Sequence, residues 1–148
     1  MDKKIIPHIV QNQRICELTE ESTAYEAAKQ MMDCNVAAVV VINEEGALTG
    51  IMTERDVTRR VIARDLDPRK TKLRDIMTRE PDTLAPGDSA VNALELMRTR
   101  GYRHLPVIDT GKVVGMVSIR DLYEVAKEDL EHGIRETEAY VFGDRYGA

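Results

Sequence analysis

The feature that most constrains this chain is that it is written twice. GIMTERD at residues 50–56 returns as GMVSIRD at 115–121, an offset of 65, and both read Gly, two apolar residues, a hydroxyl, any residue, Arg, Asp. Going backward, Gly46 falls on Gly111, and after a one-residue slip in a turn the offset becomes 66. AAVVVI (37–42) then lies against RHLPVI (103–108), and STAYEAAKQMM (22–32) against DSAVNALELMR (88–98). Leu18, Ala24, Ala27 and Met31 coincide with Leu84, Ala90, Ala93 and Met97. A chain with such internal symmetry folds as two similar units, so the reading reduces to one unit and how two of them pair.

Within each unit a short extended piece (RICEL; PDTLA) precedes a segment with apolar residues at helical spacing. Thr23 and Glu26 have capping-box spacing at the start of the first helix, and Gly101 stands where a helix C-terminal glycine belongs. A buried strand, a tight turn at Gly46 or Gly111, a second strand and a second helix follow. The expected fold class is α/β (α+β), with two pseudo-symmetric β-α-β-β-α repeats packed as one module over 9–65 and 73–129. The charged segment RDLDPRKTKLRD (64–75) reads as a linker between them. A unit of this size buries too little surface to be comfortable alone, so the two are expected to share one core. Met31, Met32 and Met97 are expected in that core.

A net charge of −5 argues against broad nucleic-acid binding, which needs a basic surface. The longest apolar run, VAAVVVI (36–42), is far short of the roughly 20 residues of a membrane span. The N-terminal MDKKIIPHIV lacks a secretory signal pattern. Cys16 and Cys34 suggest no disulfide framework, and His8, His104 and His132 are too scattered to support a zinc site. The chain therefore reads as cytoplasmic and reduced.

Thr53 to Asp56 and Ser118 to Asp121 have hydroxyl-x-x-carboxylate spacing, which by itself is a helix-capping signature. Three features argue for more. The hydroxyl stands at a strand-to-helix corner, where free backbone N–H groups suit a phosphate or ribose. An Arg beside the Asp opposes the helix dipole and is a poor choice for capping alone. The whole block is also duplicated in the same context.

GIMTERD, GMVSIRD, GYRHLPVID (101–109) and DIMTREPDTLAPGDSA (75–90) together resemble a tandem pair of cystathionine-β-synthase (CBS) domains, over about 120 of the 148 residues. The resemblance implies a regulatory module that binds AMP, ADP or ATP, and in some members NAD or S-adenosylmethionine, between the repeats. It implies that the Asp holds the ribose hydroxyls while the hydroxyl residue and nearby basic groups hold phosphate. Carried onto this sequence, one site comprises Thr53, Arg55 and Asp56 with Thr83, Arg103 and His104. The other comprises Ser118, Arg120 and Asp121 with Glu17, Ala37 and Ala38.

The residue chemistry suits these roles. A ribose diol is two donors that an ionised carboxylate accepts, and guanidinium matches phosphate. Met52, Val117 and the flanking strand are the expected apolar walls for adenine. Because Ala37 and Ala38 stand where the second repeat has Arg103 and His104, the Asp56 site is expected to prefer phosphate-rich ligands.

No G-x-S-x-G, P-loop or G-x-G-x-x-G motif is present, so the chain reads as a binding module and not an enzyme, with no catalytic cofactor and no metal. The competing reading is a dimeric interaction or scaffold protein without a physiological ligand, in which both corners only cap helices. The resemblance further implies a homodimer, as a four-repeat disc, and a separate regulated protein partner. Three of six aromatics (Tyr140, Phe142, Tyr146) fall in the tail of 130–148, which suggests docking.

Overall fold

A computed structural model of the chain describes residues 3–10 and 13–146, with side chains through residue 137. The first repeat contains β1 (Glu17–Thr19), α1 (Ala24–Cys34), β2 (Ala38–Ile42), β3 (Leu48–Thr53) and α2 (Glu54–Asp56). A wider π-type turn, Val57–Ile62, carries α2 onward. After α3 (Leu73–Ile76) and β4 (Thr78–Arg79), the second repeat contributes α4 (Ala90–Arg100), β5 (His104–Asp109), β6 (Lys112–Ser118) and α5 (Ile119–Tyr146). Among the described residues no helix is long and apolar enough to cross a membrane.

Local chemistry sets the element ends where the spacing predicts. Thr23 Oγ1 accepts from Glu26 N–H and Glu26 returns the bond, each at 3.2 Å, so α1 opens on a full capping box. Helix α4 opens on Ser89, whose hydroxyl accepts from Asn92 N–H, and closes on Gly101 at φ 75°. The hairpin turns place Gly46 and Gly111 at φ 81° and 78°, a region that glycine enters without steric cost. Both hairpins carry a register shift at the same point, Val41/Ile42 and Val107/Ile108.

The two repeats differ at their first strand. In the first, β1 pairs in parallel with β2 over three residues; in the second, the corresponding piece is one parallel bridge, Leu84 to Val107.

The lead-in segments are exchanged between repeats. Residues 71–74, read from the sequence as linker, donate to and accept from the entry of α1: Leu73 N–H to Ser22 O (2.8 Å), Arg74 N–H to Glu20 O (3.1 Å), Ala24 N–H to Thr71 O (2.9 Å). The N-terminal segment does the same at the entry of α4, with Ile5 N–H to Asp88 O (2.9 Å), Ile6 N–H to Pro86 O (3.0 Å) and Ala90 N–H to Lys3 O (2.8 Å). Strand β4 then adds to the first sheet as its fourth strand, order β1-β2-β3-β4.

This exchange explains why both motifs begin with glycine. A Cβ on Gly50 would stand 2.9 Å from the Thr78 carbonyl oxygen, and one on Gly115 would stand 2.7 Å from Val10 Cγ1. The crossing segment leaves no room for a side chain at either place.

The expectation of one shared core is corrected by two separate apolar clusters. Each repeat completes its own core with the borrowed lead-in: Leu73, Ile76 and Met77 enter the first cluster, and Ile5 and Val10 the second. Borrowing supplies the missing burial that a 55-residue unit lacks. The aligned residues Ala24, Ala27, Met31, Leu84, Ala90, Ala93 and Met97 are all buried, whereas Met32 is 71% exposed. Lys112 Nζ donates to Glu45 O at 3.1 Å and ties the two hairpin turns together.

The reading of unpaired cysteines is also corrected. Cys16 and Cys34 are joined in a disulfide that links the approach to β1 with the end of α1. The tail aromatics lie outside the residues whose side chains are described; the backbone there continues α5 to Tyr146.

Candidate functional site

Both motif hydroxyls cap their helices. Thr53 Oγ1 accepts from Asp56 N–H (3.1 Å) while Asp56 Oδ2 accepts from Thr53 N–H (3.0 Å). Ser118 and Asp121 repeat the arrangement at 3.2 and 2.9 Å. The helix start is also pinned to the head of the central strand, by Glu54 N–H to Ala37 O (3.0 Å) and Ile119 N–H to Arg103 O (2.8 Å). Each corner is therefore fixed by one backbone bond to a strand head and by the two reciprocal bonds of its capping box.

Capping uses one carboxylate oxygen and leaves the other. Asp56 Oδ1 lies 3.5 Å from Arg60 Nε, a loose pair, and Asp121 Oδ1 makes no hydrogen bond or ion pair among the described residues. Each corner thus combines a rigid backbone with one acceptor oxygen still available.

Each corner lies on a cavity. The Asp121 cavity has a volume of about 820 Å³ and the Asp56 cavity about 670 Å³. Thr53, Arg55, Asp56, Arg103 and His104 come together around the Asp56 cavity, as the sequence groups them. Ser118, Arg120, Asp121, Ala37 and Ala38 come together around the other.

Four expectations need correction. Thr83 and Glu17 line neither cavity; Pro81 and Asp82 line the first, and residues from Gln13 to Cys16 the second. Both stand beside a buried neighbour, Leu84 or Cys16, and extended chain sends successive side chains to opposite faces. For the same reason Met52 and Val117 are fully buried in the cores, while their neighbours Ile51 and Met116 face the cavities. Met32, expected in the core, lines the Asp121 cavity.

Fourth, Arg103 and His104 line both cavities, as do Ala37 and Glu54. These residues sit where the two strand heads meet, so they form a common wall. The Asp121 cavity therefore does not lack Arg103 and His104, contrary to what their alignment with Ala37 and Ala38 leads one to expect.

Burial pushes the His104 imidazole below its ordinary value; Asp121 and Glu54 pull it partly back and Arg103 adds to the lowering. His104 thus stands in the common wall as a neutral imidazole at pH 7 and not as a cation.

Arg59, Arg60 and Arg64 line the Asp56 cavity and Arg14 the other, and none was singled out from the sequence. The first three were legible, since they follow Arg55 at four, five and nine residues, about one and two helical turns on. Arg60 is held in place, donating to Ile76 O at 2.8 Å. Among the described residues no group of three or more His, Cys, Asp or Glu is arranged to hold a metal.

The family model for the CBS domain matches residues 12–63 and 73–128. The chain is 37% identical over 129 residues to the CBS domain-containing protein CBSX3, mitochondrial, of Arabidopsis thaliana, covering 84% of this chain and 63% of that protein. It therefore spans less than two thirds of that relative's length. A solved structure of a protein with CBS domains from Burkholderia ambifaria MC40-6 is similar with a TM-score of 0.75 and 32% identity, over 80% of this chain and 86% of that one. The CBS domain protein PAE2072 from Pyrobaculum aerophilum, solved in complex with AMP, is similar with a TM-score of 0.70 and 28% identity, over 76% and 86%. The chain belongs to the CBS-domain family, with two CBS repeats in tandem.

Proposed function

We propose that the chain is a regulatory adenosine-nucleotide-binding module without catalytic activity of its own. The observation that carries this is the pair of related cavities, each with a capped Asp that keeps an acceptor oxygen at its wall. Asp56 and Asp121 would accept from the ribose diol, with Thr53 and Ser118 holding the corners rigid. Arg55, Arg103 and Arg120 would meet phosphate. Apolar residues such as Ile51 and Tyr102 on one side, and Ala38, Met32 and Met116 on the other, offer walls to adenine. The AMP complex of the Pyrobaculum protein supports this ligand class.

A ligand acts on this fold only by binding one arrangement better than another. The common wall and the helices that leave both corners are the parts it can bias, and through them a separate protein partner. Tyr123, Leu130 and Ile134 are exposed at helical spacing on α5, which favours a second copy of this chain as its neighbour.

Isothermal titration of the whole chain with AMP, ADP, ATP, NAD and S-adenosylmethionine tests the reading. Saturable binding of at least one is expected. If none binds, the reading falls and the interaction-protein alternative takes its place.

A further inference from the structure

The duplication provides its own control for the Asp56 cavity. At an offset of 65, Arg55, Arg59, Arg60 and Arg64 correspond to Arg120, Glu124, Val125 and Asp129. Equivalent positions of the two repeats therefore carry four cations in one case, and one cation with two acids in the other. Both segments leave the same kind of capped strand-to-helix corner, the first through the π-type turn and the second as the start of α5, and helical backbone in either form does not itself ask for arginine at these positions.

All four arginines line the Asp56 cavity, brought to one side by a π-type turn whose hydrogen bonds run between residues five apart, as in Ala63 N–H to Thr58 O. Like charges at this spacing repel and weaken the helix. Asp56 answers only Arg60, while Arg55, Arg59 and Arg64 make no hydrogen bond or ion pair among the described residues. Arg103 adds a fifth guanidinium from the common wall, also without such a partner. In the other cavity, by contrast, Arg120 is paired with Glu124 at 3.8 Å.

From this we infer that the Asp56 cavity selects nucleotides by phosphate number. Arg55, Arg59 and Arg64 receive the second and third phosphates of a nucleoside di- or triphosphate; the Asp121 cavity, lined by Arg14, Arg103 and the paired Arg120, has no counterpart of Arg59 or Arg64. The inference rests on the nucleotide-binding reading, which it deepens. A polyphosphate relieves the repulsion among the arginines, so bound anion and helix stabilise each other.

The test is calorimetric titration of the whole chain with AMP, ATP and inorganic tripolyphosphate, on wild type and on a variant carrying Arg59→Glu and Arg64→Asp. Those substitutions install what the sibling repeat holds at the same positions. Both arginines are exposed and without partners, so the variant is expected to fold, which circular dichroism checks. Wild type is expected to hold ATP at the Asp56 cavity about tenfold or more tighter than AMP, from two or three solvent-screened charge-assisted bonds. The variant should bring that ratio to about one.

Equal affinities for AMP and ATP in wild type, or an unchanged ratio in the variant, overturn the inference and leave nucleotide binding standing. Tripolyphosphate binding that the variant loses, with no adenosine nucleotide bound, keeps the polyanion site and removes the nucleotide reading. Binding of neither removes both.

Discussion

Replacing Gly50 by alanine tests whether the exchanged lead-in holds the first repeat together. The new Cβ would stand 2.9 Å from the Thr78 carbonyl oxygen and 2.5 Å from Met77 Sδ, both far inside the roughly 3.5–4.0 Å of ordinary contact. Met77 can swing its thioether aside, but the carbonyl moves only if β4 moves. That strand is held to β3 by just two register pairs, Gly50 with Arg79 and Ile51 with Thr78. Overpacking of this kind costs about 1–3 kcal/mol, and each ladder hydrogen bond lost adds about 1 kcal/mol. Alanine offsets about 0.4–1 kcal/mol by restricting the unfolded chain. The expected net loss is about 2 kcal/mol, or roughly 4–8 °C in Tm for a chain of this size.

Urea unfolding followed by far-UV circular dichroism measures this, the chain having no tryptophan. Gly87→Ala is the control, since its Cβ would meet nothing within 4 Å, and should shift stability by no more than about 0.5 kcal/mol. Gly115→Ala meets the Val10 side chain and not backbone, so adding Val10→Ala should restore much of its loss; no such rescue exists for Gly50. A Gly50→Ala midpoint equal to wild type would refute the crossing of β4 against β3.

Other consequences are open to measurement. The Cys16–Cys34 disulfide closes a separation of 18 residues, so reducing it is expected to cost about 3 kcal/mol; two titratable thiols in the unreduced protein would contradict it. A reducing cytoplasm would keep both as thiols, so thiol state in the cell also reads the compartment. His104, neutral in the folded chain because burial lowers its pKa, should make stability fall as pH drops below about 6.5. Its contribution is complete above that value and is lost toward the lower folded pKa. His104→Gln should flatten that slope in pH-dependent unfolding, and an identical slope would count against the burial. Arg60→Ala removes the bond to Ile76 O and should cost about 1 kcal/mol, read as a lower urea midpoint.

What was legible in the sequence was what neighbouring residues decide. Thr23 with Glu26, Ser118 with Asp121, Gly46, Gly111 and Gly101 each act within a few positions, and the structure shows each acting as its spacing predicts. The aligned Ala and Met pairs were legible because the duplication doubled a weak helical signal. Features set by distant contacts were not. Nothing near Gly50 or Gly115 says which segment crosses it, and the partners are Thr78 and Val10, far off in sequence for Gly115.

The same limit explains the cysteines, whose meeting depends on how α1 packs beside β1. It also explains Arg103 and His104, assigned to one corner when the meeting of two strand heads gives them to both. Glu17, Thr83, Met52 and Val117 were each placed one face off, an error inherent in short strands where a single step reverses direction.

The central claim is that each capped Asp is also a ligand acceptor. The most direct measurement is a thermal-shift series with AMP and ATP on wild type, Asp56→Ala and Asp121→Ala. Without ligand, each variant should lose only the ~1 kcal/mol of a helix cap. With ligand at a hundred times Kd, wild type should gain about 2.7 kcal/mol from each occupied cavity. Each variant should lose the part of that gain contributed by its own corner. If both variants instead keep the full ligand-dependent shift, GIMTERD and GMVSIRD only cap helices, and the account is contradicted.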